Sequence, residues 1–313
     1  MHIDLPFLGG NTVTKLLSYT VGASLSVIDT FERWLRDSGK SPHTIKAYTK
    51  DVARFFDFVG KPPEEISGID ISNWYAHMRE VSYGNRGPRK SRREKGYNNR
   101  SLARFGWALR KFFQAYGRPE VVPQIPTPSY EVEDPRWLTQ KIVFNIIQNS
   151  IGKARSILSA GYDWALRVRE VTLIKKEWFE GDEVTIYRLK RKGAPRKTKI
   201  PVSPWCEKII KSYIQNPKYW VGLNEDRLFP LGQQTISYYW RKSAKRAGIN
   251  PYKYTFQSLR HSRITQRAIE MIEDEGKVDE VRLAMFAGHL RTSTTLLYTH
   301  LATKYLMRRK KLH

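Results

Sequence analysis

Five prolines crowd the stretch from residue 119 to 135, at Pro119, Pro123, Pro126, Pro128 and Pro135. Proline lacks a backbone N–H and its ring clashes with the preceding turn, so no regular helix is expected to run through them. The segment reads as a linker over 119–135. It divides the 313 residues into two parts, each long enough to bury its own core. The expected organisation is an extension over 1–24, a first domain over 25–118, a second over 136–300 and a basic tail over 301–313.

Apolar spacing on either side points to a mainly α chain. Ile28, Phe31, Trp34 and Leu35 recur at helical spacing and stop at Gly39, a C-cap. Ser41 and Pro42 restart a helix as N-cap and first-turn proline. Its stripe is Ile45, Tyr48, Val52, Phe55 and Val59, ending at Gly60. A third helix carries Ile71, Trp74 and Met78, and a fourth Leu102, Phe105, Leu109, Phe112, Phe113 and Tyr116. Residues 86–96 between them show no apolar period, and Arg86, Arg89, Lys90, Arg92, Arg93 and Lys95 make them a basic loop.

The second part reads as mostly helical with a small antiparallel sheet. Its strands are expected over 183–190 and 197–202, joined by a turn at Gly193-Ala194-Pro195. Ser203 and Pro204 open another helix with Ile209, Ile210 and Tyr213 inward. Residues 235–247 are amphipathic. Ile236, Trp240, Ala244 and Ala247 face a core, while Gln234, Tyr238, Arg241 and Lys245 share the opposite face. Tyr238, Arg241 and Lys245 are candidates for nucleic-acid contact.

Lys and Arg number 55 against 30 Asp and Glu, a formal charge of +25. With 40% hydrophobic residues, this describes a folded protein with a polyanionic partner, nucleic acid before a membrane surface. No run of about 18 apolar residues is present, so no transmembrane helix is expected. The N-terminal apolar patch lacks a basic flank, which argues against a signal peptide. Cys206 is the only cysteine, and the seven histidines show no metal-ligand spacing, so neither an intrachain disulfide nor a structural metal is expected.

Three short motifs carry the chemistry. The first is Leu166-Arg167-Val168-Arg169-Glu170-Val171. The second is Gln257-Ser258-Leu259-Arg260-His261. The third runs from Ala287-Gly288-His289 to Tyr298-Thr299-His300, with Tyr298 nine positions after His289. Arginine binds phosphate oxygens bidentately and keeps its charge, and a phenol can act as a nucleophile when assisted. In this order the motifs resemble those of the tyrosine recombinases, the phage-integrase and Xer-type strand-exchange enzymes, over most of the chain from about Leu25.

The resemblance implies a two-domain DNA clamp, an all-helical core-binding domain followed by the tyrosine recombinase catalytic fold. It implies Tyr298 as nucleophile, Arg167 and Arg260 as a phosphate clamp, and His289 as a donor to the phosphate. Glu170 would orient Arg167, and Lys192, ahead of Lys190, would be the general acid on the strand hairpin. His261 and His300 echo the family pattern but read as structural. Gln257 departs from it, because histidine is usual there; its amide can donate a hydrogen bond yet carries no charge. The implied reaction passes through a 3′-phosphotyrosine and a Holliday junction, needs no cofactor, and is run by a homo-tetramer on double-stranded DNA, with residues 301–313 a candidate segment for exchange between protomers. It belongs to the cytoplasm and nucleoid of a prokaryote or its virus or plasmid. A type IB-like topoisomerase shares the chemistry, and a DNA-binding protein with a weakened site is the rival that Gln257 favours.

Overall fold

In the computed structural model, residues 23–83, 94–189, 197–219 and 226–310 are described. Arg86, Arg89, Lys90, Arg92, Arg93, Lys190, Lys192 and the turn Gly193-Ala194-Pro195 lie outside them. The chain divides into two compact units, Met1–Val132 and Glu133–His313.

The first unit holds helices α1 (Ala23–Asp37), α2 (Pro42–Val59), α3 (Gly68–Glu80) and α4 (Asn99–Tyr116). The caps follow from local chemistry. The Ser41 hydroxyl accepts from the Thr44 N–H at the start of α2, and Gly60, at φ 67, ends it in the left-handed conformation. Ser67 and Asp70 form a reciprocal capping box on α3. The apolar stripes meet in an aromatic core that includes Phe31, Phe55, Trp74, Phe105, Phe112 and Phe113. Trp74 meets Phe55 edge-on at 5.3 Å. Edge contacts of this kind add about 0.5–1.5 kcal/mol beyond burial.

Two features of this unit differ from expectation. The unit is helical in its packing, but it also contains an antiparallel pair, β1 (Ser82–Tyr83) with β2 (Glu94–Lys95). Ser82 faces Lys95 in that register, so the two ends of the basic loop are tied together by backbone hydrogen bonds. The expected linker also begins as structure. Pro119–Gln124 is a 3₁₀ helix, and Val121 and Ile125 are buried in the aromatic core. Proline suits the first turn of a helix, where its missing N–H has no partner to lose, and the two apolar residues supply the anchor. Arg118 adds hydrogen bonds to the carbonyls of Pro63, Glu64 and Ile66.

The second unit contains α5 (Gln140–Gln148), α6 (Lys153–Asp163), the single turn α7 (Val168–Val171), β3 (Glu183–Tyr187), β4 (Lys197–Pro201), α8 (Pro204–Gln215), α9 (Gln233–Arg246), α10 (Phe256–Glu275), α11 (Glu280–Ala287) and α12 (Thr292–Lys310). β3 and β4 pair antiparallel from Glu183 opposite Pro201 to Tyr187 opposite Lys197. Val184 and Ile186 point inward into a core shared with Ile157, Trp164, Leu166, Trp240 and Leu259. A second cluster joins Ile264 and Ala268 of α10, Leu283 and Ala287 of α11, and Tyr298 and Ala302 of α12.

α12 changes the expectation of a separate tail after residue 300. The helix continues unbroken to Lys310, with Leu301 and Ala302 buried, Tyr305 edge-on to Trp137, and Arg309 paired with Glu273. Leu301, Ala302 and Tyr305 therefore pack on the chain's own second unit, while Met307 stays exposed. Among the described residues, no helix is long and apolar enough to cross a membrane.

Candidate active site

A sharp corner between α6 and α7 starts the site. Ala165 takes φ 48, a left-handed conformation that costs a non-glycine residue about 1–2 kcal/mol. Its carbonyl accepts from Arg260 Nη1 on α10. Two residues on, Arg167 is the N-cap of α7, and the Glu170 side chain folds back to accept from the Arg167 backbone N–H at 3.0 Å and from its Nη1 at 2.7 Å.

Glu170 is 1% exposed and serves three cations. Besides Arg167, Arg188 Nη1 lies 3.3 Å and Arg260 Nη1 3.8 Å from its Oε2. Burial pushes its acidity down, but Arg188, Arg260 and Arg167 together outweigh that and hold the carboxyl below the usual range. Three guanidiniums against one carboxylate leave the cluster with excess positive charge, an arrangement that favours an anion. Arg167 is the most open of the three, with its side chain 20% exposed.

Two of these arginines also shape the turn that carries His289. Arg188 Nη2 donates to Phe286 O at 2.7 Å, and Arg260 Nη2 donates to Ala287 O. They thus satisfy carbonyls at the C-terminus of α11, where cations are favoured. Gly288 ends the helix at φ 66, and a Cβ there would meet Arg188 Cδ and Nε at 2.8 Å. Only glycine fits both the conformation and the passing guanidinium.

Tyr298, in the second turn of α12, is 3% exposed. Its hydroxyl lies 2.7 Å from His261 Nδ1, its hydrogen-bond partner among the described residues. The rings of His261 and His289 stack on it at 5.9 Å and 5.6 Å. His289 Nδ1 is engaged by the buried Thr295 hydroxyl at 3.1 Å. Burial, then Arg260 and Arg167, push His261 down to about 4. Burial, the three arginines and His261 push His289 down to about 3. Both imidazoles are neutral at pH 7. Burial raises the Tyr298 phenol, and Arg260 and Arg167 act to lower it. Burial and the two neighbouring arginines bring Arg260 to about 9, still charged at neutral pH.

The structure therefore brings Arg167, Glu170, Arg260, His289 and Tyr298 together. Gln257 is half-buried in the first turn of α10, on the helix face of Arg260 and His261, and has no hydrogen-bond partner among the described residues. Lys192 falls outside those residues. Tyr238, Arg241 and Lys245 lie on the exposed face of α9, where with Lys242 and Tyr252 they line a basic, aromatic groove. Lys95 is described by its backbone alone, paired with Ser82.

Two residues of the cluster were not anticipated. Arg188 sits in a basic run that suggests a solvated hairpin, yet it continues the inward alternation of Val184 and Ile186, a period-2 signal legible in the sequence. His261, expected to be structural, instead bonds the Tyr298 hydroxyl, and His300 is exposed on α12.

Comparison with known proteins identifies the family. A model of the phage integrase family matches residues 136–304, and one of the phage integrase N-terminal SAM-like domain matches residues 27–84. The chain belongs to the phage integrase family and is a tyrosine-type recombinase. It is similar to tyrosine recombinase XerA of Thermococcus kodakarensis, 28% identical over 288 residues, covering 90% of this chain and 92% of the relative. Tyrosine recombinase XerC of Caldanaerobacter subterraneus is 27% identical over 296 residues, covering 83% and 78%. In fold it resembles a lambda integrase tetramer solved on a Holliday junction, with TM-score 0.61, 17% identity, and coverage of 92% and 81%.

Proposed function

We propose that the chain cleaves and rejoins double-stranded DNA at specific sites, with Tyr298 attacking the scissile phosphate to give a 3′-phosphotyrosine and a free 5′ hydroxyl. A partner strand's hydroxyl then reverses the step through a Holliday junction. The phosphoester bond is conserved in the protein adduct, so strand joining draws on no external energy source. Arg167 and Arg260 neutralise the nonbridging oxygens, His289 and Gln257 donate to them, and Lys192 protonates the leaving oxygen. Glu170 orients the arginines. The observation that carries this reading is a buried tyrosine hydroxyl bonded to His261 and facing Arg260 and Arg167, two of the three guanidiniums gathered on one buried carboxylate.

Duplex binding is assigned to the basic face of α9 with Tyr238, Arg241 and Lys245, and to the loop bearing Arg86, Arg89, Lys90, Arg92, Arg93 and Lys95. The working unit is a homo-tetramer on two duplexes, acting at the nucleoid of a prokaryote or on its mobile elements.

A suicide substrate, nicked so that the cleaved end diffuses away, tests the chemistry. Tyr298→Phe removes only the nucleophilic oxygen, so it is expected to keep DNA affinity and lose the covalent adduct. Adduct at the wild-type yield from Tyr298→Phe would place the nucleophile elsewhere. Junctions formed between two labelled duplexes separate recombination from topoisomerase-like rejoining of one strand.

A further inference from the structure

We propose that His261 is a catalytic residue, which accepts the Tyr298 proton during strand cleavage and returns it during rejoining. The proposal rests on the reading of Tyr298 as nucleophile and names the group that activates it.

Geometry comes first. The Tyr298 hydroxyl and His261 Nδ1 are 2.7 Å apart, within the reach a proton transfer requires. The charged neighbours of that hydroxyl, Arg260 and Arg167, carry donors only, which leaves the imidazole nitrogen as the acceptor for the O–H in the tautomer this proposal requires. His289 stacks on the Tyr298 ring but makes no hydrogen bond to its hydroxyl among the described residues, and its Nδ1 is engaged by Thr295 instead. The near-parallel stack of the His261 and Tyr298 rings, 22° between planes, holds the donor and acceptor in register.

Electrostatics then decide when the proton moves. The groups facing His261 are Arg260 on its own helix, Arg167 from the corner before α7, His289 from the turn after α11, and Tyr298 on α12. Burial first, and then both arginines while they are unneutralised, disfavour an imidazolium there, and the phenol keeps its proton. A phosphodiester bound by those arginines brings the negative charge that offsets them. His261 gains proton affinity in the complex where the transfer is needed.

The step balances. The Tyr298 O–H bond breaks and its proton passes to His261 Nδ1. The Oη–P bond forms as the P–O5′ bond breaks, and the leaving oxygen takes a proton from the general acid assigned to Lys192. In rejoining, the incoming 5′ hydroxyl gives its proton to that lysine as the P–O5′ bond forms, the Oη–P bond breaks, and His261 reprotonates Oη.

The test is single-turnover adduct formation by the full chain on the nicked duplex, across pH 6 to 9.5, with wild type, His261→Asn and Tyr298→Phe. Asparagine places an amide oxygen near the Nδ1 position, keeping a hydrogen bond but taking no proton. The expected result is unchanged DNA affinity and a rate at neutral pH lower by about 10²- to 10⁴-fold. That deficit shrinks as pH rises and hydroxide increasingly replaces the base, over a range set by a phenol that burial holds above the ordinary tyrosine value of about 10. A His261→Asn rate equal to or above wild type, or a deficit constant with pH, would overturn the proposal. Adduct from Tyr298→Phe would instead overturn the nucleophile assignment. A second measurement needs no variant at His261. Its ring-nitrogen NMR signal in the wild-type chain should titrate at higher pH in the trapped phosphotyrosine adduct than in the free protein, and an equal or lower midpoint would refute the role.

Discussion

Arg188 Nη1 rests 3.3 Å from Glu170 Oε2, with both side chains wholly removed from solvent. This pair joins the end of β3 to α7, and through Arg188 Nη2 it reaches the carbonyl of Phe286, next to the turn that carries His289. A buried charge pair of this kind adds little net stability when intact, but losing one partner leaves the other uncompensated.

Glu170→Gln should therefore destabilise the second unit by about 3–5 kcal/mol, the usual cost of stranding buried charge. The pH dependence has a definite sign. Because the native carboxyl is held below its ordinary range, its stabilisation is intact above the unfolded glutamate value of about 4.3 and fades as pH falls through the lower native value. Denaturant unfolding of wild type and Glu170→Gln at pH 7 and in strong acid checks this. The gap between them should narrow on acidification.

Gly288→Ala should cost about 2 kcal/mol or more, from the left-handed backbone and from contact with the Arg188 side chain. In an Arg188→Ala background the same substitution should cost less, since the obstructing side chain is gone. Equal costs in the two backgrounds, read from a double-mutant cycle, would show that the approach is not limiting.

Gln257→Ala should slow cleavage on the order of 10- to 1000-fold at equal DNA occupancy, the effect of losing one transition-state donor. Gln257→His should hold or raise the rate, because a charged donor bonds more strongly than a neutral amide. An alanine variant as fast as wild type would mean that the second motif supplies Arg260 and His261 without Gln257.

On α9, Arg241→Gln and Lys245→Gln should each weaken duplex binding. Each should also flatten the plot of log affinity against log salt by about 0.9 for every phosphate that is no longer neutralised. Titrations at a series of salt concentrations measure this. An unchanged slope would remove that face from the DNA interface.

The elements set by neighbouring residues were legible without coordinates. The stripe from Ile45 to Val59, its Ser41 cap and its Gly60 stop depend on contacts three or four residues apart, which periodicity records directly. The order of the motifs likewise picked out Arg167, Arg260, His289 and Tyr298. What the 119–125 segment does was not legible, because Val121 and Ile125 find their partners in a core assembled from distant helices.

The sequence by itself determined a mainly helical chain with a proline-rich divide, and the residue types a phosphotyrosine chemistry requires. Tertiary structure alone decided how they act on one another. Arg260 meets the Ala165 carbonyl across 95 positions, and His261 meets Tyr298 across 37. Such pairings arise from packing α10 against the α6–α7 corner and α12, and no local spacing encodes them. The same packing buries Arg188 and Glu170, and burial is what turns ordinary ionisable side chains into one electrostatic unit with two neutral imidazoles beside a tyrosine.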